Sequence, residues 1–331
     1  MALFIAAALL PGCTARPATP PAPPGDTFRA QLVEQVTADG AWVHIEALQS
    51  IADATGGNRA SPGPGYDASV DHVAGVLREA GFDTTTPVFT LRSDDRRPIT
   101  LRNVVAQTRT GDPERVVVAG AHLDSVPDGP GINDNASGVA ALLEVATRMG
   151  GSPPTTNAVR FAFWAAEERN LDGSAAYVES LSRSERRAII LYLNADMAAS
   201  PNAGYFVQGG FGDEADETGP EGSEVVGRTL VEELAATGAT AETAAFDDES
   251  DHDAFIEAGI PTGGVFSGAD NAKTDAQAAR WGGRAGVDFD PCYHSACDRA
   301  EGIDRRVLDD FTDALAGTVA RFATATDPLA H

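Results

Sequence analysis

The chain has 331 residues, 43% of them hydrophobic, enough for a substantial core in one large α/β domain or two smaller ones. Its formal net charge of −25 argues against nucleic acid, which calls for a basic footprint. So strong a negative charge favours a soluble, monomeric chain and suits an exported one.

Residues 1–10 form an apolar run too short to span a membrane as a stable helix, and it reads as an export signal. Leu10-Pro11-Gly12-Cys13 resembles a bacterial lipobox, in which the cysteine is lipidated after cleavage. No basic residue precedes the run and proline is unusual before the glycine, so an ordinary signal peptide with an incidental Cys13 is an equal reading. The expected boundaries are a leader over 1–13, a proline-rich linker over 14–25 and one folded domain over 26–327.

Within that domain, Val70, Val73, Ala74 and Leu77 share one face of a helix expected over 66–80, with Gly81 as its stop. Residues 88–91 and 103–106 look like strands, the second expected to pair with 116–119. Ser137 is expected to cap a helix over 139–149. Strands at 159–164, 189–193 and 262–266 then alternate with helices at 173–181 and 224–237. This alternation predicts a single α/β domain with a central, mostly parallel mixed β-sheet and helices on both faces. The segments 125–135 and 202–222 lack periodicity and read as loops, the first over the strand ends.

Five potential metal ligands are spread through the chain, most of them where an apolar strand stops: His122, Asp134, Glu168, Asp196 and His294. In an open α/β sheet ligands gather at the carboxyl ends of the strands. Two histidines and three carboxylates form a mixed nitrogen and oxygen set suited to zinc and numerous enough for two ions. Asp124 alternates with His122 and is the expected orienter of its ring. Each residue also has an ordinary reading: Asp134 and Asp196 as caps, Glu167 and Glu168 as a solvated helix start, Tyr293 as an unremarkable aromatic. His252, in Ser250-Asp251-His252-Asp253, is the competing histidine, as an alternative ligand, a supporting group or a surface residue. Cys292 and Cys297 are close enough for a small disulfide loop, which persists only in an oxidising compartment. A zinc knuckle would need a narrower gap and a second pair.

Four segments resemble the site segments of the secreted dizinc aminopeptidases of metallopeptidase family twenty-eight, especially the Streptomyces griseus type. They are Gly120-Ala121-His122-Leu123-Asp124-Ser125-Val126, Gly131-Ile132-Asn133-Asp134-Asn135, Trp164-Ala165-Ala166-Glu167-Glu168 and Cys292-Tyr293-His294-Ser295. Gly56-Gly57-Asn58-Arg59-Ala60 and Trp281-Gly282-Gly283 match outside the site, and the likeness spans roughly residues 39–323. The resemblance implies two zinc ions per chain, one on His122 and Asp196, the other on Glu168 and His294, with Asp134 bridging. It implies Glu167 as general base, Tyr293 as stabiliser of the tetrahedral intermediate, and Met197 and Phe266 lining an apolar pocket. Peptides with a free N-terminus and a large hydrophobic first residue are the implied substrates. Asp309 and Asp313 match half of a family calcium site whose early aspartate falls near Gln35. Glu249 is a departure, standing where the streptomycete type has an arginine. Carboxypeptidase or glutaminyl cyclase chemistry on the same scaffold, and a non-catalytic surface binding protein, are the competing expectations.

Overall fold

The computed structural model describes residues 24–92, 97–211, 218–246 and 249–329. The apolar leader, the lipobox-like residues 10–13 and all but the end of the proline-rich stretch lie outside them. A helix at Pro24–Gln35 begins two residues before the expected domain start at Asp26.

Ten strands form among the described residues: β1 (Asp83–Thr85), β2 (Val88–Arg92), β3 (Pro98–Arg102), β4 (Val104–Gln107), β5 (Asp112–His122), β6 (Asn157–Trp164), β7 (Ile189–Asp196), β8 (Phe206–Gln208), β9 (Glu242–Ala244) and β10 (Thr262–Phe266). Eight of them make one sheet in the order β1-β4-β6-β5-β7-β10-β8-β9, while β2 and β3 pair separately. The central neighbours β6, β5, β7 and β10 run parallel. Antiparallel pairing enters where β4 joins β6 and where β8 joins β10, so the sheet is mixed but mostly parallel at its centre.

The sequence reason is visible in β5. Val116 and Val118 face one side with Trp164 and Tyr192, beneath the helices Asp172–Ser180 and His252–Glu257. Val117, Ala119 and Ala121 face the other, beneath the helices Ala38–Ala54, Pro64–Glu79, Gly138–Met149 and Arg305–Thr324. A strand apolar on both sides belongs where helices cover both faces. From β5 the chain crosses to β6 on one side, then returns past β5 to β7 on the other. That reversal opens a crevice at the carboxyl end of β5, the place where doubly wound sheets bind ligands.

Three sequence expectations change. β4 pairs with β6, Val104 opposite Phe163, and not with β5. β6 is itself apolar on both faces and needs a partner on each side, which periodicity alone does not reveal. Residues 202–222 contain β8, a strand too short to register as a run. Ser137 is not a cap: its own backbone is helical, and its Oγ donates to the Asn133 carbonyl (2.6 Å) and accepts from Ala198 N–H (2.8 Å). The capping bond to Gly138 N–H is accepted by Asn135 Oδ1 at 3.0 Å.

Candidate active site

His122 ends β5 and Asp196 ends β7, while Glu167 and Glu168 open a short helix, Glu167–Asn170, just past β6. Asp134 stands in the turn Ile132–Ser137 that follows β5. His294 lies between Cys292 and Cys297, which form a disulfide with Cα atoms 5.2 Å apart. These residues, distant in sequence, meet in one cluster. His122 Nε2 is 3.1 Å from Asp134 Oδ1 and 3.4 Å from Asp196 Oδ1. His294 Nε2 is 3.1 Å from Asp134 Oδ2 and 3.0 Å from Glu168 Oε2. The two oxygens of Asp134 therefore face different histidines. Donor atoms of His122, Asp134 and Asp196 lie within 4.8 Å of one another, as do those of Asp134, Glu168 and His294.

The turn carrying Asp134 is held from several directions. Gly131 has φ +63, and a Cβ there would lie 2.4 Å from the Asp134 carbonyl oxygen, so only glycine fits. Asp298 accepts from the backbone N–H of Asn133 (2.7 Å) and of Asp134 (3.1 Å). Asn133 donates to Asp290 at 2.6 Å, and Asn135 donates to the Ala195 carbonyl at 2.9 Å. Arg59, fully buried, donates to the carbonyls of Leu123, Pro130 and Gly131 and so closes the loop between His122 and Asp134. Such charge-assisted bonds are the strong ones. All four non-glycine residues with positive φ among the described residues flank this site: Ala166, Leu171, Met197 and His294. Strain of that kind persists only where surrounding structure enforces it, and it gathers at functional sites.

Asp196 is held by a relay. Trp164 Nε1 donates to Tyr192 (2.9 Å), Tyr192 to Asn194 (2.8 Å), Asn194 to Ser250 (2.8 Å), and Ser250 to Asp196 Oδ2 (2.6 Å). Asp124 lies beside His122 Nδ1 at 3.8 Å, too far for a hydrogen bond. Its Oδ1 accepts instead from Glu167 N–H at 3.2 Å, so it fixes the general-base candidate as well as facing the ring.

The electrostatics call for a cation. Burial opposes protonation of His122, but Glu167 and Asp196 outweigh it and push the imidazole well above the usual range. His294 is pushed up to about 10 by its bonds to Asp134 and Glu168. Burial opposes ionisation of Asp134, yet the two histidines hold its carboxyl well below the usual range. Burial, then Asp196 and Asp251, drive Glu167 well upward. Glu168 Oε1 is buried and accepts no hydrogen bond from a described residue, and Asp196 Oδ1 faces only the His122 ring among the described histidines. Buried carboxylate oxygens are paired or coordinate metals, and histidine with carboxylate suits zinc, so this donor set fits divalent cations.

A cavity of about 890 Å³ opens onto the cluster, with Met197 and Phe266 in its wall and Tyr293 beside His294. The Tyr293 and His294 rings stack at 3.8 Å. Phe206 and Phe289 join the apolar wall, 5.3 Å apart by ring centroids, and sequence reasoning missed both. It also missed Asp251, a fully buried acid that burial pushes up to about 7, and it gave no role to Arg59, Asp298 or Ser250. Their roles lie in contacts across the fold, with no local signal. His252 is buried against Phe246 and belongs to none of the donor groups. Asp309 accepts from Ala38 N–H at 2.6 Å, and no group of three donor side chains forms around Asp309 and Asp313 among the described residues. The calcium expectation gains nothing from this geometry.

A family model described as Peptidase family M28 matches residues 103–319. The chain is 36% identical over 426 aligned residues to the probable lipoprotein aminopeptidase LpqL of Mycobacterium tuberculosis, with 86% of this chain and 85% of that protein covered. It is 44% identical over 286 residues to leupeptin-inactivating enzyme 1 of Streptomyces exfoliatus, but there it spans only 61% of the relative's length. In three dimensions it resembles a zinc aminopeptidase from Bacillus subtilis, with a TM-score of 0.71, 18% identity, and 88% of this chain and 96% of that one covered. At that identity the likeness shows the fold. The family match and the sequence relatives go further: the chain is a metal-dependent peptidase, a hydrolase belonging to peptidase family M28.

Proposed function

We propose that this protein is a two-zinc aminopeptidase that removes large hydrophobic residues from the N-terminus of peptides. The observation that carries the reading is Asp134, whose two oxygens face His122 and His294 separately, at 3.1 Å each. A carboxylate so placed suits a bridge between two cations. His122, Asp134 and Asp196 would hold one, and Asp134, Glu168 and His294 the other. Bound there, the pair would polarise the scissile carbonyl and lower the pKa of an attacking water.

The remaining work belongs to the chain's own groups. Glu167 faces the cluster without joining either trio around Asp134, its Oε2 4.0 Å from His122 Nε2. It takes the water's proton and returns it to the leaving amine. Tyr293 donates its phenolic O–H to the developing oxyanion. The acidic cluster receives the substrate's α-ammonium group, which makes the enzyme an exopeptidase. Met197, Phe206, Phe266 and Phe289 receive the side chain of the residue being removed.

The protein acts outside the cytoplasm, either secreted or held at the cell surface by a lipid on Cys13. The Cys292–Cys297 disulfide supports an oxidising compartment, and the mycobacterial relative is named a lipoprotein. A Cys13→Ala protein should leave the membrane fraction; one that stays there rules the anchor out.

Hydrolysis of leucyl p-nitroanilide by the purified protein tests the activity. Cleavage should require the free amine and stop on chelation. Equal or faster cleavage of the N-acetylated substrate would overturn the aminopeptidase reading.

A further inference from the structure

Six carboxylates line the cavity: Asp134, Glu167, Glu168, Asp196, Glu249 and Asp270. The single arginine or lysine among its lining residues is Arg169. Its ion pair with Asp172 is long, 3.8 Å from Nε, with the two side chains 35% and 25% exposed. A pair of that length and exposure holds a guanidinium weakly. The Arg169 guanidinium donates no hydrogen bond to a described residue. A cation with its fork uncommitted, at the edge of an acidic cleft, is free to meet a ligand.

Its position says which part of a substrate it meets. Five consecutive residues, Glu167 to Leu171, run along one wall of the cavity. On the function proposed above, the leaving amine stands at Glu167, and the removed side chain lies among Met197, Phe206, Phe266 and Phe289. The wall that holds Arg169 continues from Glu167 and is open to the chain beyond the scissile bond. One further residue advances it by about 3.5 Å. A carboxylate on that residue finds Arg169 as the nearby cation, while Glu249 and Asp270 repel it from the rest of the cleft.

We propose that Arg169 forms a carboxylate subsite on the leaving-group side, selecting substrates whose first residue after the scissile bond carries a carboxylate. Two sources supply that chemistry, the free C-terminus of a dipeptide or an acidic side chain at this position. The inference rests on the aminopeptidase reading and deepens it.

The test compares kcat/KM within two substrate pairs: Leu-Ala against Leu-Ala-amide, and Leu-Asp-amide against Leu-Asn-amide. The wild-type enzyme should favour the carboxylate in at least one pair by about tenfold, the scale of a hydrogen bond to a charged group. The favoured pair identifies the source. In Arg169→Gln the ratio should fall to near one, and Arg169→Lys should keep part of it. Because each ratio is taken within one variant, a partly unstable protein does not distort it. Ratios near one in the wild type, or a preference that survives in Arg169→Gln, overturn the subsite alone. Cleavage of none of the four substrates overturns the aminopeptidase reading and the subsite with it.

Discussion

Asp134 and Glu167 show how much one carboxylate's surroundings decide its role. Asp134 is drawn down by two histidines and spans the cluster. Glu167 is driven up by burial and neighbouring acids, as suits a group that takes and returns a proton. Glu167→Gln should lower kcat by at least about 10²-fold while leaving bound zinc unchanged, a drop of the size general-base removal brings. Activity within tenfold of wild type would remove Glu167 from the mechanism. Ser250→Ala breaks the bond to Asp196 Oδ2. Loss of such a supporting bond typically costs about 10- to 100-fold in metal affinity, so competition with a zinc indicator should show that weakening. Away from the site, His44 and His72 sit 6.3 Å apart between packed helices. Burial first, and His72 second, push His44 down to about 4. Its folded value lies below the unfolded one near 6.5, so the unfolded chain takes up the proton first on acidification. The stability it contributes is complete above about pH 6.5 and lost as pH falls toward 4, by up to about 3 kcal/mol. Urea unfolding at pH 7.5 and 5 should show a smaller loss for His44→Gln than for wild type; equal losses would contradict it. At this scale the donor residues were legible, because His122 and Asp196 end apolar runs and Glu167-Glu168 follow one. Arg59, Asp298 and Ser250 were not, since nothing near them in the sequence marks the backbone or carboxylate they hold.

Among the elements, the disulfide loop around His294 has the clearest consequence. It ties a residue in a left-handed conformation, φ 53, between two bonded cysteines. Replacing Cys292 and Cys297 together by alanine should cost about 2 kcal/mol of stability, the entropy of so short a loop. It should also lower zinc retention on dialysis, because His294 is no longer held against Asp134 and Glu168. Unchanged stability and zinc content would show that the loop holds itself. The β5, β6, β7 and β10 strands were legible from their apolar runs. The neighbour of β4 was not, because β6 and β5 are equally apolar and only the packed sheet chooses between them. β8, three residues long, gave no period to detect, and with it Phe206 was lost from the expected pocket.

Across the whole molecule, a crevice where the sheet order reverses gathers acids from β7, the β6 exit and the turn after β5. That concentration would be self-repelling without cations, and the protein's overall charge of −25 adds to it. On the function proposed above, two cations therefore complete the site. Titrating zinc into the chelated protein while following leucyl p-nitroanilide hydrolysis counts them. Activity should be absent after chelation and return in full only at two equivalents per chain. Full activity at one equivalent, or activity that survives complete chelation, would contradict this reading.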